Sequence, residues 1–328
     1  MKRLITLAAS SAVFVAMALI LTAGAGAHEG HDHTPQPTAG TKIAADLGFV
    51  LGTAIGPDNA LYVADGSKGE VWRIDPDTGA KTLEAWGLPA SEEGGVSDIA
   101  FIGFDLYALT SGVSSPDVVG IYRIPKDGKP EILADLGAYS LAHPVGFGDA
   151  APTGNPYSLE VLDAGNLLVA DANHNRLLVV DTFQGTISQL AQFDNIVPTG
   201  ASRADNVLYV SQIGAYPHAP EDGRVWALTL PEGEASLVAA GVPFIIDVEK
   251  GPSSRLYALS FGTQPTEPEG PPADPFSGKV LLVRDDGTFG ILVANLTMPT
   301  TLEIVGDTAF VTTISGDVWR IDNISSLN

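Results

Sequence analysis

"KIAADLG", residues 42–48, is nearly repeated as "EILADLG" at 131–137. At the second place the phrase follows a hydrophobic strand and a turn, so it closes a structural unit. At the first it stands almost directly after the leader. A chain that opens on a closing phrase is one whose last unit is finished by its first residues. The fold then turns on whether such units recur.

They do. A short strand returns as "ALYVAD" (60–65), "DLYALT" (105–110), "NLLVAD" (166–171), "VLYVSQ" (207–212), "RLYALS" (255–260) and "TAFVTT" (308–313). Each is followed by a second strand, from "GEVWRID" (69–75) to "GDVWRID" (316–322). Each is preceded by another: "VLGTAI" (50–55), "VSDIAF" (96–101), "PYSLEV" (156–161), "VPTGAS" (197–202), "IIDVEK" (245–250) and "PTTLEI" (299–304). Apolar and β-branched residues at near-alternate positions, bounded by Gly, Asp and Pro, read as strands, and no helix is expected after the leader. Fourth strands follow in five units, among them "KTLEAWG" (81–87) and "GILVANL" (290–296). Four strands repeating at this period are the blades of a propeller.

The sixth unit ends after its third strand. "KIAADLG" supplies the fourth by pairing with 316–322, which closes the ring and removes its open edges. The expected fold is all-β: a six-bladed β-propeller with four-stranded blades, one domain over 41–328. Residues 1–27 read as a signal peptide, with Lys2 and Arg3, an apolar run from Leu4 to Leu21, and "TAGAGA". Residues 28–40 read as a flexible His-rich tail.

Of the 17 basic residues the leader takes two, leaving a net charge of 15 − 39 = −24. Such a surface repels phosphate backbones and anionic membranes, so neither nucleic acid nor, after leader cleavage, a membrane is an expected partner. Without cysteine there is no disulfide framework or thiol chemistry. The chain is expected to be exported, extracellular or periplasmic, and monomeric.

"VADANHNRLLVVD" (169–181) resembles the NHL-type blade. "NPYSLEVLDAGNLLVADANHNRLLVVD" (155–181), "VPTGAS" (197–202), "YPHAPEDGRVW" (216–226) and "IIDVEKGPSSRLYALS" (245–260) fall in the order and spacing of the ScyD/ScyE family, secreted six-bladed propellers named from a scytonemin-biosynthesis gene cluster. The resemblance covers most of the mature chain. It implies fold and export, and carries over no settled reaction and no catalytic residues.

In an antiparallel meander the connections alternate between the two ends of the ring. One face receives only short turns, such as "GPDN" (56–59) and "KDGK" (126–129); the other receives the excursions 111–118, 138–155, 213–222 and 261–277. Long loops on one end of a rigid scaffold are where binding resides. Aligning the inner strands places Gly52, Asp98, Ser158, Thr199, Asp247 and Thr301 at one channel position. Ala54, Ala100, Glu160, Ala201, Glu249 and Glu303 lie two residues on, on the same side. The expected site sits at the long-loop mouth: Asp98, Ser158, Asp247 and Thr301 on inner strands, with His143, Asn155, Tyr157, Tyr216 and His218 on the overhanging loops. Carboxylates, an amide, imidazoles and rings suit a small polar or cationic ligand, or an extracellular protein. Asp98 and Asp247, on blades 2 and 5, face each other and hold a divalent cation in this reading; no other cofactor is implied.

A second metal reading falls on the tail, where "HEGHDH" (28–33) gathers His28, His31 and His33, residues suited to Zn or Cu. Asp171, Asn173 and Asn175 match the start of a calcium loop, but Arg176 and Thr182 stand where its Gly and Glu belong, so a tight turn explains them better. The leading functional reading is a binding module rather than an enzyme. The alternative is a metal-dependent hydrolase or lactonase of the gluconolactonase type, also six-bladed. Those enzymes share a Glu-Gly-Pro opening to the first inner strand; here that stretch is "LGFVLG" (47–52), without a carboxylate.

Overall fold

The computed structural model describes residues 35–92, 94–126, 129–146, 151–215, 218–231, 233–264 and 272–327. Every repeat folds as a four-stranded antiparallel meander, and six such sheets form the ring of a six-bladed β-propeller. The inner strands of blades 1 to 6 are Val50–Ile55, Gly95–Ile102, Pro156–Asp163, Pro198–Ala204, Ile245–Lys250 and Pro299–Val305.

The apolar residues sort themselves by seam. Because strand side chains alternate, each blade presents one apolar row to the blade before it and one to the blade after. Six buried clusters are described; five lie each at one seam, and the largest, between blades 5 and 6, extends to Ala172, Val197 and Ile213. Tyr107 and Leu109 of blade 2 meet Leu159 and Val169 of blade 3. Phe310 and Val318 of blade 6 meet Val50 and Val63 of blade 1. Each fully buried Leu, Ile or Val contributes about 1.5–3 kcal/mol, so the ring is held by six small cores rather than one large one.

The last blade is completed by the start of the chain. Thr41–Ala44 pairs antiparallel with Val318–Asp322, Thr41 opposite Arg320 and Lys42 opposite Trp319. Lys42 Nζ adds an ion pair to Asp317 at 2.7 Å. The strand is shorter than 42–48, because Asp46 and Gly48 take positive φ (59° and 85°) and turn the chain into blade 1. Gly48 is required there: a Cβ would stand 2.3 Å from Asp65 Oδ2. The segment before the strand is also tethered, since Thr38 N–H donates to Ala294 O at 3.1 Å and Asn295 Nδ2 to Gln36 O at 3.1 Å. His28, His31 and His33 lie outside the described residues.

Among the described residues one α-helix interrupts the expected all-strand pattern. Leu136–Ala142 is helical, with Asp135 as N-cap accepting from Ala138 N–H at 2.7 Å. On sequence alone 138–155 reads as plain loop. A helix this short has little propensity of its own; the cap and the burial of Leu136 and Ser140 hold it.

A recurrent bulge sets where inner-strand side chains point. In each inner strand the register shifts at the same place: Val50/Gly52, Val96/Asp98, Pro156/Ser158, Pro198/Gly200, Ile245/Asp247 and Pro299/Thr301. The extra residue of a bulge bends the strand and re-aims the side chains after it.

Candidate functional site

The bulge defines two rings of channel positions. The first is Gly52, Asp98, Ser158, Gly200, Asp247 and Thr301; the second, paired with second-strand residues such as Tyr62 and Tyr257, is Ala54, Ala100, Glu160, Ser202, Glu249 and Glu303. In blade 4 the strand pairing aligns Gly200 and Ser202 with those positions, one residue on from the Thr199 and Ala201 of the sequence alignment, while Thr199, Gly200 and Ala201 all line the channel. Thr199 is the bulge residue itself. Ser202 reaches across the seam to blade 5, its hydroxyl donating to Glu249 Oε2 at 3.3 Å.

The rings line a partly open cavity of about 190 Å³. It runs from Tyr157 and Ile246 on the long-loop side to Ile55, Phe101 and Val161 toward the short turns. Five carboxyl groups line it, Asp98, Glu160, Asp247, Glu249 and Glu303, with Thr53, Ser158, Thr199 and Thr301; no Lys, Arg or His is among the lining residues. Thr53 links blades 1 and 6, its hydroxyl donating to Thr301 Oγ1 at 2.8 Å.

Asp98 and Asp247 are anchored identically. Asp98 Oδ1 accepts the Ile99 N–H at 2.8 Å, and Oδ2 accepts the Leu159 N–H of blade 3 at 2.7 Å. Asp247 accepts Val248 N–H and, across the next seam, Leu302 N–H, both at 2.8 Å. An inner strand has no neighbour on its channel side, so its N–H groups there need partners; these carboxyls supply them. Among the described residues no three His, Cys, Asp or Glu side chains are grouped to hold a metal ion.

Burial and mutual repulsion raise the proton affinity of this set. Burial raises Glu160 from 4.5 to about 8, with the Asp247 charge adding to it. Burial raises Asp247 from 3.8 to about 6 against the pull of its two N–H donors. Asp98, Glu249 and Glu303 are pushed well above the usual carboxyl range, first by burial and then by their acidic neighbours. Tyr157 is raised for the same reasons, with Asp247 and Asp98 facing it.

The structure therefore brings Asp98, Tyr157, Ser158, Asp247 and Thr301 together in one cavity, and places Asn155, His143 and His218 elsewhere. Asn155 fastens loops: its Oδ1 accepts from Ser111 Oγ at 2.7 Å. His143 caps the short helix and stacks on Tyr139 with centroids 4.1 Å apart. His218 lies against Phe244, edge to face, and burial lowers its pKa. Tyr216 lies outside the described residues.

The turn at 171–176 fastens the chain that leads into blade 3. Buried Arg176 donates to Asp171 Oδ2 at 3.0 Å, to His143 O at 3.2 Å and to Ser140 Oγ at 2.7 Å. Burial alone would raise Asp171, yet His174, the Asn155 N–H and Arg176 hold it below the usual range. Asn173 accepts from Ala151 N–H, and Asn175 Oδ1 accepts from Ile196 and Val197 N–H at 2.9 and 2.7 Å. One set escapes the sequence reading: Asp65, Ser111, Asp171, Gln212, Ser260 and Thr313, all buried, end the second strands and pin the long-loop face. Its signal is present in the repeated phrase, which ends on a polar residue in every blade; in the second that residue is Thr110, and Ser111 comes just after it.

No protein-family model matches the chain, and no curated protein matches it in sequence. Solved structures do resemble it. A gluconolactonase from Xanthomonas campestris shares 15% identity over 86% of this chain and 87% of its own, with a TM-score of 0.57. Virginiamycin B lyase from Staphylococcus aureus shares 12% over 88% and 98%, TM-score 0.53. A chain of the nidogen/laminin complex shares 13% over 80% and 89%, TM-score 0.55. At such identities the likeness shows the six-bladed propeller fold, which hosts lyase, lactonase and protein-binding roles alike. No helix among the described residues is long and apolar enough to cross a membrane.

Proposed function

We propose that this chain is an exported ligand-binding propeller of the ScyD/ScyE type, which receives a small polar or cationic organic molecule in its channel from the long-loop face. The carrying observation is the cavity of about 190 Å³ lined by five carboxyl groups and several hydroxyls, with no cationic side chain in its wall. Carboxyls orient a ligand through hydrogen bonds or charge, and the Tyr157 ring offers apolar contact. The pinned long-loop face, with Asp171 and Arg176 holding 136–146 in place, supplies a rigid rim. The leader pattern and the family resemblance support export.

The test combines elemental analysis with titration calorimetry of the mature protein against a small diamine and a small polyol. Saturable binding that is lost in Glu160→Gln/Glu249→Gln supports the reading. Absence of binding by both probes overturns it. A tightly retained, stoichiometric divalent ion would favour a metal-dependent hydrolase of the gluconolactonase type instead.

A further inference from the structure

The ring carries a second, longer repeat. Three blades apart, at each first-ring position, the same kind of residue returns: Gly52 and Gly200, Asp98 and Asp247, Ser158 and Thr301. Around the last pair the match extends to whole phrases, "PYSLEV" (156–161) and "PTTLEI" (299–304), so Glu160 answers to Glu303. The contacts repeat with the residues. Asp98 takes the Ile99 and Leu159 N–H groups at 2.8 and 2.7 Å; Asp247 takes those of Val248 and Leu302, both at 2.8 Å. A Cβ on Gly52 would stand 2.5 Å from Asp98 Oδ1, and one on Gly200 3.0 Å from Asp247 Oδ1. Each glycine thus lets the carboxyl of the next blade lie close against its backbone.

Blades 1–3 and 4–6 are two copies of one arrangement, related by half a turn about the channel axis. Each copy supplies one half-site: Asp98, Ser158 and Glu160, and, across the axis, Asp247, Thr301 and Glu303. All six line the same cavity of about 190 Å³. The match is not complete, since Glu249 stands where blade 2 has Ala100, and Tyr157 where blade 6 has Thr300. A carboxylate oxygen has two lone pairs, so an aspartate oxygen that holds one N–H still accepts from a ligand.

We propose that the ligand of this channel carries a primary amine at each end and lies across the axis, one ammonium on each half-site. The inference rests on the ligand-binding reading above and names the class of molecule received. The two ends are alike because the two half-sites are alike. They are cations because each half-site offers two carboxyl groups, no cationic side chain lines the cavity, and charge-assisted hydrogen bonds are the strong ones. Pockets for drug-sized ligands start at about 300 Å³, so the chain between the amines is short. Leu51, Ile246 and Tyr157 line the same space and give that chain apolar contact. Linking the ends adds affinity: once one is seated, the other meets its half-site at high effective concentration, a gain of about 10²-fold or more where the length fits.

The experiment is titration calorimetry of the mature wild-type protein, in chelator and at one pH and ionic strength. The probes are α,ω-diamines from 1,2-diaminoethane to 1,6-diaminohexane and n-alkyl monoamines of the same lengths. One diamine should bind one to one, at least about tenfold tighter than its monoamine, with shorter and longer diamines weaker. Glu160→Gln and Glu303→Gln should each remove that advantage, and to the same extent. Glu249→Gln, outside the paired set, should weaken both kinds of amine alike and keep their ratio. Equal affinity for monoamine and diamine overturns the proposal, as does affinity that climbs steadily with chain length, or unequal losses in the paired variants. Binding of a polyol with no binding of any diamine also overturns it, and leaves the ligand-binding reading in place; no binding by amines or polyols ends both. The wild-type comparison needs no variant, so it decides the question even where a variant does not fold.

Discussion

Asp98 Oδ2 accepts the backbone N–H of Leu159 at 2.7 Å, so a side chain of blade 2 satisfies the channel edge of blade 3. Asp247 repeats the contact three blades on, with Leu302 at 2.8 Å. Replacing either by Ala leaves two N–H groups without their acceptor, which costs about 1–3 kcal/mol each. Because each carboxyl also bears the charge of the other, removing one relieves the second, and the double variant should lose less than the sum of the two single losses. Urea unfolding checks this; a double variant as stable as the wild type would mean the contacts are idle. Sequence alone makes the pair look removable without loss, since it shows neither N–H.

Gly52 is the ring position of blade 1, and a Cβ there would stand 2.3 Å from the Cα of Asp98 and 2.6 Å from Ser97 O. The obstacle is backbone, which cannot swing aside. Gly52→Ala should destabilise by about 1–3 kcal/mol, more than Gly103→Ala, which opens onto space but sits at φ 62°. Melting midpoints of the two variants compared side by side give the answer; equal loss would show that the seam yields.

Arg176 is buried, donates to Asp171, Ser140 and His143, and lies 5.3 Å from the Tyr139 ring. Arg176→Met strands a buried carboxylate and should cost about 3–5 kcal/mol. Amides of 136–146 should then exchange faster, while inner-strand amides change little. Adding Asp171→Leu should recover part of the loss, since both charges then leave together. Additive losses in the double variant would refute the coupling.

Deleting 28–35 should leave the melting midpoint unchanged within a degree or two, whereas deleting 28–44 removes the outer strand of blade 6 and bares the edge of Val318–Asp322. The longer deletion should lower the midpoint by roughly 5 °C or more, or drive association detectable by gel filtration. An intermediate deletion of 28–40 should cost a little, because Gln36 and Thr38 hold blade 5. Identical midpoints for all three would sink the closure account.

The fold is legible because a blade carries its pattern locally. Two-residue alternation, turn residues and a repeated phrase survive without any knowledge of packing, and the unpaired sixth unit announces its missing strand. The channel acids are also legible, as residues at like positions in repeated inner strands. In blade 4 the bulge at Pro198–Gly200 sets the strand pairing one residue away from the sequence alignment, and Thr199, Gly200 and Ser202 are all small enough to fit either register. The Leu136–Ala142 helix is hidden because seven residues hold too little periodicity to show.

What the sequence determined by itself was therefore the set of strands, their order, the closing of the ring by its own first strand, and the one-sided placing of the long loops. These arise from short-range chemistry written into each repeat. What only the tertiary structure decided was the work of individual polar groups. Asp98, Asp247, Asn155 and Asp171 look alike as polar residues beside strands, yet the first two staple neighbouring blades at the channel while the others pin loops. That division depends on which N–H of a different blade comes within hydrogen-bond reach, a distance set by the curvature of six sheets around a common axis and by nothing within any one repeat.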